Sequence, residues 1–577
     1  MDRGSKSPPR CLAGASGPAH ESMGESSDRL PPGSREARDG PSRRGRRPPD
    51  PSNSGRKAAL RCVHRVSPGP HSGLESATDG PPERPGSPPP PSRQAVKISI
   101  VNPAIPVFQR NYAYRKTRKW QPLSTAIVAA WLEQQGGWEI QFLDAHVMDW
   151  SDQETARRVH EFGPDVLYYS SERTDAWELP IPDLAYITDF FETLLTGWEK
   201  PPWVLMEGPH GSIYPDDMLT RLPAVDCMLR GETEPVSIAV LRALSEGRDP
   251  RSVNSVSWRD EQGQHQHNPD EPAPLKYSGF PSPAWHLLPM QRYHDGAAPN
   301  TPFAMLETSR GCPMPCGYCY KQMFGDRQSK RAPEQVLDEV QELVERYGVR
   351  RIMFQDQIFT LDRKHTAAIC EGLIERGLAP RIEWRCQTRL NGMKHELLQL
   401  MKDSGCAEIY TGLETGSDEM QGEISKLTLD EFLAFRAFGD SIGLPISPNF
   451  IFGLPGETYE TAMESARFYH QLGIAVVPNV NITYPLTRNH GEAIERGDIV
   501  GDNWGEVVDC AGLVGTDMDK ATIDLLRHKA LQLNRVLRWK KRLWGLLGKD
   551  YGAGAAARLL ASRKRHGVSG PKLGALS

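Results

Sequence analysis

The sequence predicts an α/β protein: an open parallel sheet, then a second β/α run that curls into a partial barrel, then a helical C-terminal region. Three observations predict it. Five short apolar strands alternate with helix-length segments between residues 96 and 231, the pattern of a parallel, doubly wound sheet. Six more strands alternate with helices between 303 and 483, as in β/α barrels. Beyond about residue 500 the strand pattern stops and leucines recur at helical spacing.

Residues 1–95 precede this order. The first 90 hold 17 Pro, 12 Gly and 14 Ser but only six Val, Leu, Ile or Phe. Such a tail buries too little apolar surface to offset its ordering entropy, so it is expected to be disordered. Nothing at the start resembles an apolar leader, and no run approaches the ~20 apolar residues of a membrane span. A cytoplasmic location without a span is the expectation. The whole chain balances 69 Lys and Arg against 73 Asp and Glu, which argues against a chain-wide attraction to nucleic acid.

In the first ordered region, 96–246, the strands are VKISIVNP, EIQFLDA, DVLYYSS, WVLMEG and VDCMLRG. Ligands of such sheets sit at the carboxyl ends of strands. Here those ends carry Asn102, Ser170, Ser171, Glu207, Gly208, Pro209, His210, Gly231 and Glu232. Small residues there let a large flat ligand approach the backbone. A polar, Pro-containing stretch over 247–285 reads as a linker, with His265 and His267 as solvated residues rather than metal ligands.

The second region, 286–500, opens on FAMLETS and continues with strands near 351–356, 382–387, 407–412, 446–452 and 475–483. A helix between the first two has Pro333 in its first turn and an apolar face of Val336, Val340, Leu343, Val344 and Tyr347. In the last region, 501–577, residues 521–577 hold 13 Lys and Arg against two Asp and Glu. Leu526, Leu533, Leu537, Trp544 and Leu547 share one helical face there, expected to pack on the body of the protein rather than on a membrane.

Chemistry concentrates after the first barrel strand, in TSRGCPMPCGYCYKQMFG. Three of the ten cysteines, Cys312, Cys316 and Cys319, fall within eight positions. Crowding of that kind points to metal rather than disulfides. Three thiolates suit an iron–sulfur cube and leave one iron free for a ligand. A zinc site completed by a distant Cys or His is the other reading.

The CxxxCxxC loop after a strand resembles the signature of the radical S-adenosylmethionine (radical SAM) enzymes. The 96–490 stretch is similar to their cobalamin-binding subfamily, in which a Rossmann-like (flavodoxin-like) cobalamin domain precedes a partial (βα)6 barrel. The resemblance implies that the three cysteines ligate a 4Fe–4S cluster whose fourth iron is chelated by SAM. One electron then cleaves SAM to methionine and a 5′-deoxyadenosyl radical. It further implies that Tyr318 lies beside the adenine. FQDQIF makes Asp356 the candidate acceptor for the SAM amine, although Asp is also a favoured helix N-cap. In GLETGSD, Glu414 would contact the ribose or methionyl end, with Gly412 and Gly416 allowing close approach. IEWRCQTR aims Arg385 and Gln387 at the same site, and NFIFGLPGET sets Asn449 at the adenine side. The segment TYPLTRNHGE departs from the family's proline- and glycine-rich pattern where substrates are met.

For cobalamin, the resemblance sets contacts at 122–126, 168–171, 206–212 and 230–234. DAHVMD departs from the DxHxxG motif of histidine-ligating cobalamin domains, since Asp149 replaces the glycine and the segment follows the second strand. His146 is therefore not expected to ligate cobalt. The implied activity is methyl transfer to an unactivated carbon, or phosphorus, of a small molecule or peptide. An external electron donor of flavodoxin or ferredoxin type is implied, and no nucleic acid. A cobalamin-dependent radical cyclase or rearrangement enzyme is the alternative. Methylthiotransferases need further cysteines in the N-terminal domain, where only Cys227 stands. Asp356 and Glu414 argue against a non-catalytic iron–sulfur or cobalamin-binding regulator.

Overall fold

The computed structural model describes residues 95–104, 119–171, 184–270, 276–296, 298–321, 323–424, 427–477, 479–501, 503–548 and 550–565. The tail expected over 1–95 lies outside them, apart from its last position. All described residues fall in one compact unit.

Five apolar strands form where the alternation predicts: β1 (Val96–Asn102), β2 (Trp138–Asp144), β3 (Val166–Ser170), β4 (Trp203–Glu207) and β5 (Cys227–Leu229). They pair in parallel, in the order β2-β1-β3-β4-β5. That is the flavodoxin-like order, whose switch point lies between β1 and β3. The 247–285 stretch, expected as a linker, instead adds a hairpin to this sheet. β6 (Val256–Arg259) pairs antiparallel with β5, and β7 (His265–His267) pairs with β6. His265 and His267 both bond Asp216, at 2.7 and 3.2 Å.

The second sheet runs β8 (Phe303–Leu306), β11 (Arg351–Phe354), β12 (Glu383–Thr388), β13 (Cys406–Glu414) and β14 (Ile446–Phe450), all parallel and in chain order. The sixth place is held by a single parallel bridge, Phe452 to Val480. An incomplete barrel of this kind leaves its lumen accessible from the side. Two short strands, β9 (Ser309–Arg310) and β10 (Ser329–Lys330), pair antiparallel and close the base of the cysteine loop. The helix Pro333–Arg346 starts on its proline and buries Val336, Val340, Leu343 and Val344.

One core unites the regions. The barrel's apolar cluster takes in Trp120, Leu123 and Ala126, which lie before or in the helix Leu123–Gln135 of the first sheet. Tyr320 and Met323 of the cysteine loop share a second cluster with Met206, Met228, Tyr484 and Trp504. The cysteine loop is thus packed onto the side of the first sheet where β4 and β5 end.

The C-terminal helix Lys520–Leu546 departs from expectation in its second half. Leu526 and Leu537 are buried, and Asn534 bonds both the N–H and C=O of Val476. Trp544 and Leu547 of the same face are exposed, because the body ends before the helix does.

Candidate functional site at the barrel mouth

β8 ends on four buried residues, Glu307 to Arg310, and the chain then turns at Gly311 (φ +85°) into the cysteines. A Cβ at Gly311 would stand 2.0 Å from the Arg327 carbonyl, so only glycine lets the two arms of the loop meet. Lys321 Nζ donates to the Met314 carbonyl at 2.6 Å and draws the loop closed. Burial pushes the Cys312 and Cys319 thiols up, Cys319 to about 12; Cys316 adds to both shifts, and Cys312 to that of Cys319.

Among the described residues, no three His, Cys, Asp or Glu close on a single metal ion. A cubane presents its irons at separate corners, so three spaced thiols fit it better than they fit zinc. A second trio, Cys370, Cys386 and Cys406, is buried in the barrel wall. Burial holds those of Cys370 and Cys386 protonated, Cys370 at about 12. Only the loop trio has partly exposed members, Cys316 and Cys319.

Glu414 ends β13 at a register shift and takes φ +62°, a conformation few non-glycine residues adopt. Its carboxyl is buried, accepts a hydrogen bond from Tyr318, and is raised to about 7 chiefly by desolvation. Tyr318 and Glu414 thus stand together, and a cationic ligand would favour the ionised carboxylate. Gln387 accepts from Asn449 Nδ2 at 3.2 Å across the lumen. These four expected residues share the upper lumen.

Other expected residues act differently. Asp356 is buried; Thr308 donates to it from N–H (2.7 Å) and Oγ1 (2.5 Å), and Ser309 from Oγ (2.5 Å). It fastens the end of β11 to the start of the cysteine loop, and is neither a free acceptor for an amine nor a helix cap; Asp362 caps the following helix. Arg385 does not reach the mouth. Its guanidinium pairs with Asp295 at 3.2 Å and Glu408 at 3.4 Å, beside a lumen cavity of about 370 Å³. Gly412 and Gly416 face protein rather than ligand. A Cβ on Gly412 would lie 2.5 Å from Glu414 Oε1, and one on Gly416 would lie 2.9 Å from Phe468.

Sequence reasoning missed Arg389. Side chains two apart on a strand share a face, so Arg385 and Gln387 lie on one face of β12, and Arg389 follows just past the strand's end. Arg389 lies 4.0 Å from Cys316 Sγ. Arg488 and Asn489, from TYPLTRNHGE, close on Gly317, and the Asn489 N–H donates to its carbonyl at 3.0 Å.

Residues expected at the mouth of the first sheet largely bond one another. Ser171 Oγ and His210 Nδ1 are 3.1 Å apart, and the His210 ring meets Trp504 edge-on. Glu207 is buried, raised to about 7, and bonded to Ser170 and to Thr233 Oγ1 at 2.7 Å. Glu232, expected as a ligand contact, pairs with Arg310 at 3.0 Å instead. Pro209 opens a one-turn helix after Gly208, whose φ of +121° suits only glycine. At Gly231 (φ +78°) a Cβ would meet nothing within 4 Å, so backbone there faces open space and fits a flat ligand. Asp144 accepts from Asn102, Val147 and Tyr293, which accounts for it as a structural residue of β2 beside His146.

Comparison with known proteins agrees with this geometry. Residues 306–469 match the model of the Radical SAM superfamily. An uncharacterized methyltransferase of Pyrococcus horikoshii is 28% identical over 386 residues, 66% of this chain and 80% of that one. The anaerobic magnesium-protoporphyrin IX monomethyl ester cyclase of Rubrivivax gelatinosus is 26% identical over 362 residues. That match covers 60% of this chain and 61% of the cyclase, less than two thirds of its length. The radical S-adenosylmethionine methyltransferase TsrM of Kitasatospora setae, solved with cobalamin and a 4Fe–4S cluster, superposes with a TM-score of 0.55. The superposition covers 71% of this chain and 76% of TsrM at 16% identity, a likeness of fold. Residues 306–469 are therefore similar to a radical SAM domain, and the chain shares its fold with the cobalamin-bound methyltransferase TsrM.

Proposed function

We propose that this enzyme binds a 4Fe–4S cluster, SAM and cobalamin, and methylates an unactivated carbon, or phosphorus, of a small molecule or peptide. The observation that supports it most is that Tyr320 and Met323 of the cysteine loop share one buried apolar cluster with Met206 of β4 and Met228 of β5. When bound, the cluster with SAM supplies a carbon radical and cobalamin a transferable methyl group, chemistry beyond any side chain.

The chain's own part is to bind, orient and exclude water. Cys312, Cys316 and Cys319 hold three irons and leave one open. Glu414, buried beside Tyr318, offers a carboxylate to the SAM amine, and Arg389 offers a cation to its carboxylate. Gln387 and Asn449 present amides on the adenine side. Tyr484 and Trp504, buried between the two sheets, keep water from the cleft.

Reduced, iron-reconstituted protein given SAM and cobalamin is expected to form 5′-deoxyadenosine. With substrate present, S-adenosylhomocysteine should appear in near-equal amount, and label from methyl-deuterated SAM should enter the product. The similarity to a cyclase supports a second reading, cyclisation without methyl transfer. Substrate conversion with deoxyadenosine but no S-adenosylhomocysteine would decide for that one.

A further inference from the structure

The helix Lys520–Leu546 carries two apolar faces where its sequence suggests one. The first binds the body through Ile523, Leu526, Ala530, Asn534 and Leu537. The second consists of Val536, Trp539, Leu543 and Leu546, joined at its edge by Leu547, which caps the helix. At 100° per residue these five fall within about 100° of arc, centred about 150° from the middle of the buried face. All five are exposed, Trp539 at 64%, Leu546 at 79% and Leu547 at 65%. Every residue from Lys541 to Gly548 is exposed, although the Trp544 ring meets Tyr551 edge-on.

Charge separates this segment from the rest of a nearly neutral chain. Residues 525–549 contain eight Lys and Arg and no Asp or Glu. Arg535 and Arg542 border the exposed stripe on one side and Lys540 on the other. Arg535, Arg538, Lys541 and Arg542 make no ion pair among the described residues. A cationic helix with a Trp- and Leu-bearing stripe is the pattern of one that lies in a bilayer interface. No helix among the described residues is long and apolar enough to cross a membrane.

We propose that the second half of this helix docks the enzyme on an anionic lipid surface, with the stripe below the headgroups and the Arg and Lys side chains among them. Charge complementarity favours this occupant. A second copy of the chain would set cations against cations, and a nucleic acid would leave the apolar stripe without a role.

Full-length protein should float with vesicles of phosphatidylcholine mixed with phosphatidylglycerol, and weakly or not at all with phosphatidylcholine alone. Added salt should weaken the binding. The double variant Trp539→Ser/Leu543→Ser should bind at least about tenfold more weakly, as should Arg535→Gln/Arg542→Gln. Both change exposed positions, and unchanged iron content after reconstitution shows that each still folds. Absence of binding to either vesicle overturns the proposal, as does equal binding to both. A dimer abolished by the serine variant would reassign the face to self-association. Binding to single-stranded RNA that survives the serine variant but not the glutamine variant, without vesicle binding, would reassign it to nucleic acid. Vesicle binding needs no radical chemistry, so this test stands apart from that of the proposed function.

Discussion

The Arg310 guanidinium lies 3.0 Å from Glu232, a residue of the other sheet 78 positions earlier in the chain. The same side chain meets Glu234 at 2.8 Å and Glu307 at 2.7 Å, and stacks on Tyr277, Phe280 and Phe324. It stands two residues before Cys312, so the cluster loop is bolted directly to the turn after β5. Removing one partner of a buried ion pair leaves uncompensated charge and costs about 3–5 kcal/mol. Arg310→Gln is therefore expected to lower unfolding free energy in denaturant by at least that much. Glu232→Gln should cost less, since two carboxylates remain. An Arg310→Gln protein within about 1 kcal/mol of the parent would refute the bolt.

The two cysteine trios make a paired test. Alanine at Cys312, Cys316 or Cys319 should remove most of the iron that the parent takes up on reconstitution, about four per chain, and abolish deoxyadenosine formation. Alanine at Cys370 or Cys406 should leave both unchanged, because those thiols are closed in the barrel wall. Deoxyadenosine from a Cys316→Ala protein would count decisively against the cluster assignment.

Parallel strands were legible because burial on both faces writes them as continuous apolar runs. The hairpin β6–β7 was not, since an edge strand such as HQH is half solvated and reads as loop. Cys312, Cys316 and Cys319 were legible because their chemistry is local in sequence. Asp356, Gly412 and Glu232 were placed but misread, each for want of a partner invisible in one dimension: Thr308, the Glu414 carboxylate and Arg310. The C-terminal helix misled differently. Its apolar periodicity was real, but periodicity does not say where the body beneath a helix ends.

Arg385 lies within β12 and Arg389 just past its end, four residues on, and their fates should differ accordingly. Arg389→Met is expected to reduce SAM cleavage by about 100-fold, since it removes the cation that lies 4.0 Å from Cys316 Sγ. Arg385→Met breaks pairs to Asp295 and Glu408 deep in the lumen. It should lower stability while changing the rate per folded enzyme by less than about threefold. Deoxyadenosine formation, normalised to iron content, compares the two; a larger rate loss in Arg385→Met would return that residue to the SAM site.

Glu207 predicts a pH dependence of stability. Burial raises its carboxyl to about 7 in the folded protein, against an ordinary value near 4.5. A raised pKa means that the folded state holds the proton more tightly. The stabilisation is complete below about pH 4.5 and is lost as pH rises through 7. Unfolding midpoints should therefore fall between pH 6 and pH 8, on the order of 1–2 kcal/mol from this residue. Glu207→Gln mimics the protonated acid and cannot ionise, so it should match the parent below about pH 4.5 and exceed it increasingly up to pH 8. Some slope should remain, because Glu232 is also raised to about 7. If the glutamine variant is the less stable protein at pH 8, Glu207 is ionised in the fold and the argument from burial fails.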